Sequence, residues 1–112
     1  MPRVARVLRL LGSLIHISLI NSKVEWGSYV PGSNQININK TAKNGVRVEN
    51  LIHEALHVLF EKQSLYPHIK GHPRTKALWE HEEELVKGLT PGIISLMTDN
   101  GVDLSPLEKL IK

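Results

Sequence analysis

The sequence predicts an α+β domain, with a small N-terminal antiparallel sheet packed on two main helices and a short C-terminal helix. Three observations predict it. Short β-branched runs, punctuated by turn residues, fill the first forty positions. Apolar residues then recur at helical period in two long segments. A Ser-Pro-Leu-Glu run near the end carries the signature of a third helix start. With 112 residues the chain has material for one modest core, so a single domain over 1–112 is expected. An apolar content of 41% with 22% charged residues is that of a globular protein and argues against disorder.

Val7 to Leu11 and Leu14 to Ile20 read as two strands separated by Gly12-Ser13, where a leading glycine suits a type II′ hairpin turn. Val24 to Val30 follows as a third β-type run, rich in β-branched and aromatic residues. Pro31-Gly32-Ser33-Asn34 is a strong turn signal, and Gln35 to Asn39 alternates polar and apolar as a half-buried strand does. Asn44 or a neighbour caps a helix running to about Lys62. Ser64 to Arg74, with Pro67, Gly71 and Pro73, reads as a loop containing Tyr66, His68 and His72. A second helix is expected from near Lys76 toward Asp99, its Leu85, Val86, Leu89, Ile93 and Leu96 sharing one stripe. Pro91 predicts a kink or restart at Thr90-Pro91. Asn100-Gly101 ends that helix. Ser105-Pro106-Leu107-Glu108 reads as a capping box opening the last one.

Composition closes several routes. Without cysteine there can be no disulfide, thiolate ligand or cysteine nucleophile, in keeping with a reducing cytoplasm. Arg6, Arg9, Gly12 and His16 interrupt the stretch from Val4 to Ile20, which reads as strand rather than secretory signal. No apolar run has the length of a membrane span. A net charge of +3 is mild, and Arg3, Arg6 and Arg9 are spread out with no aromatic platform, which disfavours nucleic acid as a partner.

Within the first helical segment lies His53-Glu54-Ala55-Leu56-His57, an H-E-x-x-H run. Residues four apart on a helix lie one above the other, so the two imidazoles point the same way, about 40° apart around the axis. That spacing lets two histidines grip one Zn²⁺ while the glutamate between them acts on a water. Val48, Leu51, Ile52, Ala55 and Leu59 form a separate stripe, leaving the histidines on a flank. Catalytic zinc takes three protein ligands and keeps one position open. With cysteine absent, the third must be a histidine or carboxylate, and Glu80-His81-Glu82-Glu83-Glu84 on the second helix is the acidic cluster available. Helical projection places Glu82 in the middle of the apolar stripe and Glu83 on its edge, with Glu80 on its far margin and Glu84 pointing away. Glu82 and Glu83 are therefore the candidates and His81 a weaker third.

The pattern resembles the gluzincin arrangement of zinc metallopeptidases. A closer likeness is to small phage and prophage zincin-like proteins, related in pattern to the ImmA/IrrE and SprT-like groups. The matching segments are Trp26-Gly27-Ser28-Tyr29, Ile36-Asn37-Ile38-Asn39-Lys40, Leu51-Ile52-His53-Glu54-Ala55-Leu56-His57, Glu83-Glu84-Leu85-Val86 and Asp99-Asn100. They span roughly residues 7 to 100 in a consistent order. The resemblance implies a zincin-like fold, metal ligands His53, His57 and Glu83 (Glu82 in reserve) and Glu54 as general base. It further implies a cytoplasmic protein encoded by a phage or prophage. In zincins an edge strand commonly pairs with extended peptide, and Gln35 to Asn39 is the strand expected to do so here.

The expected function is therefore zinc-dependent hydrolysis of peptide bonds in a peptide or protein substrate. Metal acidifies a water to a pKa of about seven, Glu54 takes its proton, and the leaving amine receives it. Tyr29, Tyr66, His72 and His81 are the candidate donors to the carbonyl oxygen, none preferred. The alternative is a non-catalytic zinc-binding phage accessory protein, whose metal stabilises the fold or a partner interface. Retention of Glu54 favours catalysis, since a purely structural site has no use for a base there. Substrate and oligomeric state are not written in the sequence.

Overall fold

The computed structural model describes residues 6–21, 26–62 and 76–111. Four strands form one sheet: β1 (Val7–Leu10), β2 (Ser13–Ile20), β3 (Gly27–Tyr29) and β4 (Gln35–Asn39). Helices α1 (Asn44–Lys62), α2 (Lys76–Thr98) and α3 (Ser105–Leu110) follow. This is the α+β architecture expected, two main helices and a short third. The loop expected over Ser64 to Arg74, with Tyr66, His68 and His72, lies outside the described residues.

The sheet order is β1-β2-β4-β3. β1/β2 and β3/β4 are antiparallel, but β2 and β4 run parallel, so the sheet is mixed rather than wholly antiparallel. The cause is topological. After β2 the chain passes to the far edge, lays down β3, and returns through a tight turn to insert β4 beside β2. The register rewards this, because Ile17 faces Ile36 and Leu19 faces Ile38. Ile15, Ile17, Ile36 and Ile38 are all buried and meet Val48, Leu51, Ile52 and Val58 of α1. Fully burying each such side chain stabilises by roughly 1.5–3 kcal/mol. The opposite sheet face carries exposed Leu14, His16 and Gln35, as a half-covered sheet allows.

One consequence corrects the sequence expectation for peptide pairing. β4 is hydrogen-bonded on both sides and offers no edge. The edge beside α1 is β3.

Turn chemistry differs in detail. The first hairpin loop is Leu11-Gly12, one residue earlier than expected, with φ of +51° and +77°. Positive φ at both positions is type I′ rather than II′ geometry. The turn between β3 and β4 is a type II turn, with Gly32 at φ +80° and the Ser33 N–H donating to the Val30 carbonyl at 3.1 Å.

α2 passes through Pro91 without restarting. Thr90, one residue earlier, donates its hydroxyl to the Val86 carbonyl at 2.7 Å. Its buried face is also rotated from the expected stripe. Glu82, Val86 and Thr90 are buried, whereas Leu85, Leu89 and Leu96 are exposed. The helix turns a carboxylate, not a leucine row, toward α1. α2 ends in a Schellman motif: the Gly101 N–H donates to the Thr98 carbonyl and the Val102 N–H to that of Met97. The expected capping box at α3 does not form. Ser105 is already helical, and Asp103 accepts from both its N–H (2.9 Å) and its hydroxyl (2.6 Å). Those bonds hold the Asp103 carboxyl below its usual value. Beyond α3, buried Ile111 is fastened by Arg47, whose guanidinium donates to the carbonyls of Ile111 and Ala42, both at 2.8 Å, and of Lys40.

Leu11 is the point of backbone strain here, since a leucine in the left-handed region costs about 1–2 kcal/mol and asparagine much less. Leu11→Asn is expected to raise stability by about 1 kcal/mol, read as a higher urea midpoint at unchanged slope.

Candidate metal centre

α1 positions the motif by burying one face against the sheet. Leu51, Ile52 and Val58 point into the core, which leaves His53, Glu54 and His57 on the adjoining flank. α2 packs across that flank and brings its acidic turn against it. The His53 Nε2 atom lies 3.0 Å from Glu83 Oε1, and the His57 Nε2 atom lies 2.8 Å from Glu83 Oε2. The His53, His57 and Glu83 ligand atoms all fall within 4.8 Å of one another. These separations bear comparison with a metal's demands. Ligands about 2.0–2.1 Å from a tetrahedral Zn²⁺ stand roughly 3.3 Å apart. The two contacts of Glu83 are close to that spacing.

Glu82 takes a different place. Its Oε2 lies 2.5 Å from the other ring nitrogen of His57, Nδ1, and the side chains are 2% and 6% exposed. A histidine that gives Nε2 to a cation must carry its proton on Nδ1, and a carboxylate there fixes ring and tautomer together. Consecutive glutamates thus reach the two nitrogens of one imidazole. Sequence reasoning named both residues but treated Glu82 only as a substitute ligand. Its position in the middle of the buried stripe was the available signal that it had a partner inside.

His53 is less enclosed. Burial lowers its imidazole pKa from the ordinary value, against the raising pull of Glu83. A neutral imidazole is the form that binds metal.

Glu54 is 7% exposed. It lies beside β3, where Gly27 permits a close approach. A Cβ added at Gly27 would sit 3.1 Å from the Asn37 carbonyl oxygen and 3.5 Å from Glu54 Cγ. The glycine in the Trp26-Gly27-Ser28-Tyr29 run therefore lets Glu54 lie against the edge strand.

The remaining candidates do not gather at this point. The Tyr29 hydroxyl donates to Glu61 at 3.0 Å. His81 and Glu84 are exposed. Tyr66 and His72 lie outside the described residues. Glu61 itself, one turn beyond His57, was not singled out from the sequence.

The chain matches no protein-family model, no curated protein and no solved structure.

The geometry ranks the acidic residues. If the cluster takes up zinc, Glu83→Ala is expected to abolish its retention, as are His53→Ala and His57→Ala. Glu82→Ala should weaken zinc about ten- to hundredfold, the usual effect of losing a partner to a ligating histidine. Glu84→Ala should leave it unchanged. Competition titration against a chromophoric chelator gives the order directly.

Proposed function

We propose that this protein is a zinc-dependent metallopeptidase, with His53, His57 and Glu83 as metal ligands and Glu54 as general base. One observation carries the reading: Glu83 lies within hydrogen-bond distance of both Nε2 atoms of the H-E-x-x-H helix. Two imidazoles and a carboxylate are a donor set suited to zinc and leave a fourth position for water.

Zinc bound there supplies a Lewis acid and an acidified water. The chain's residues supply the rest. Glu54, on the turn between the two histidines and beside β3, accepts the water's proton and passes it to the leaving amine. Glu82 holds His57 in the tautomer that presents Nε2. β3, the edge strand beside Glu54, pairs with an extended substrate, with main-chain hydrogen bonds giving affinity and side-chain contacts specificity. This moves the peptide-binding role from β4, an interior strand, to β3, which among the described residues pairs with a strand on one side only.

The partner under this reading is a peptide or unfolded protein. The likeness to phage and prophage zincins supports a phage-encoded protein acting in a bacterial cytoplasm. Among the described residues, no helix is long and apolar enough to cross a membrane.

Zinc-loaded protein should cleave denatured casein. Glu54→Gln should keep stoichiometric zinc while losing at least about a hundredfold in turnover, the scale of a general base's contribution. Zinc-dependent stability in both proteins, with cleavage by neither, would favour the zinc-binding accessory role instead.

A further inference from the structure

Glu61 lies outside the proposed catalytic set but shares its stripe. His53, His57 and Glu61 recur at four-residue intervals, so their side chains project from the same side of α1. The Glu61 carboxylate accepts hydrogen bonds from the Tyr29 hydroxyl at 3.0 Å and from the Gly32 N–H at 3.0 and 3.2 Å. These donors are neutral. They aim the carboxylate without cancelling its charge. The adjacent Lys62 spends its ammonium on Asn34 Oδ1 at 2.9 Å, and no cation pairs with Glu61 among the described residues. Glu61 is also only half-buried, so its charge can be felt by an incoming ligand.

β3 gives this charge an address. The strand runs alongside α1 in the same direction, with Gly27 beside Glu54 and Tyr29 on Glu61. From Glu54 to Glu61 is seven residues, about 10 Å of helix rise. An extended peptide covers that length in about three residues. A peptide pairing antiparallel with β3 runs from the Glu61 end toward Glu54. The residue it brings to Glu61 therefore lies two or three positions N-terminal to the bond at Glu54.

We infer that Glu61 is a specificity determinant selecting peptides with a lysine or arginine two or three residues before the scissile bond. The inference rests on the hydrolase reading. A carboxylate fixed by neutral donors at the end of the strand proposed to pair with substrate complements a basic side chain and disfavours an acidic one by like-charge repulsion. Tyr29 is then a positioning residue, acting through Glu61.

The test is a synthetic peptide library carrying Lys, Gln or Glu at each position, digested by the zinc-loaded full chain, with cleavage sites read by mass spectrometry. Lys over Gln at those two positions should be favoured in kcat/KM on the order of tenfold. Glu61→Gln should erase that preference while zinc retention is unchanged. Tyr29→Phe, which keeps the Glu61 charge but removes one of the donors that aim it, should reduce the preference without erasing it and leave zinc retention unchanged. Should Glu61→Gln fail to fold, the wild-type preference must shrink as salt is added. Cleavage without basic preference, or preference that survives Glu61→Gln or high salt, overturns this inference alone. Absence of any cleavage by the wild type overturns the hydrolase reading and this inference together.

Discussion

The contact between α1 and α2 turns on one imidazole held between two carboxylates. His57 faces Glu82 through Nδ1 and Glu83 through Nε2, with His53 closing on the same Glu83. Placing ionisable groups where solvent hardly reaches is costly, and it persists only when each finds a partner. A leucine facing a leucine would hold two helices together at less cost. The rotation of α2, which buries Glu82 and leaves Leu85, Leu89 and Leu96 exposed, gives up apolar burial for a polar contact. Local rules are expected to be broken at functional or strained sites.

The rest of the fold serves that contact. The isoleucine layer of β2 and β4 seats α1 through Leu51, Ile52 and Val58, which fixes the azimuth of the histidines. Gly27 brings the edge strand within contact of Glu54. Arg47, anchoring the end of the chain to the loop before α1, steadies the start of the motif helix. Site and scaffold are built on regular elements, the arrangement that gives the clustered side chains a defined geometry.

Much of this was legible in the sequence because periodicity reports local structure well. The strand Gln35–Asn39, the helix Asn44–Lys62 and the histidine pair followed from alternation and four-residue spacing. The order of strands did not, since period two says which face a residue occupies and nothing about its neighbour. β4 therefore read as an available edge when it is an interior strand. The Leu11-Gly12 turn was misplaced because its first residue is a leucine at positive φ, a conformation that residue type does not advertise. α2 read as a leucine stripe because pattern assigns apolar side chains to the interior, while its actual inner face carries Glu82, Val86 and Thr90, with Glu82 against His57. For the same reason the sequence could offer Glu82 and Glu83 only as alternatives, whereas packing gives each a separate atom to meet.

X-ray absorption at the zinc edge of the purified, zinc-reconstituted protein reads the proposed coordination shell itself. A His53, His57 and Glu83 site should hold one zinc per chain in a four-coordinate shell of nitrogen and oxygen at about 2.0–2.1 Å, with outer-shell scattering from two imidazoles. A six-coordinate oxygen shell without imidazole scattering, or no stoichiometric zinc, would contradict it.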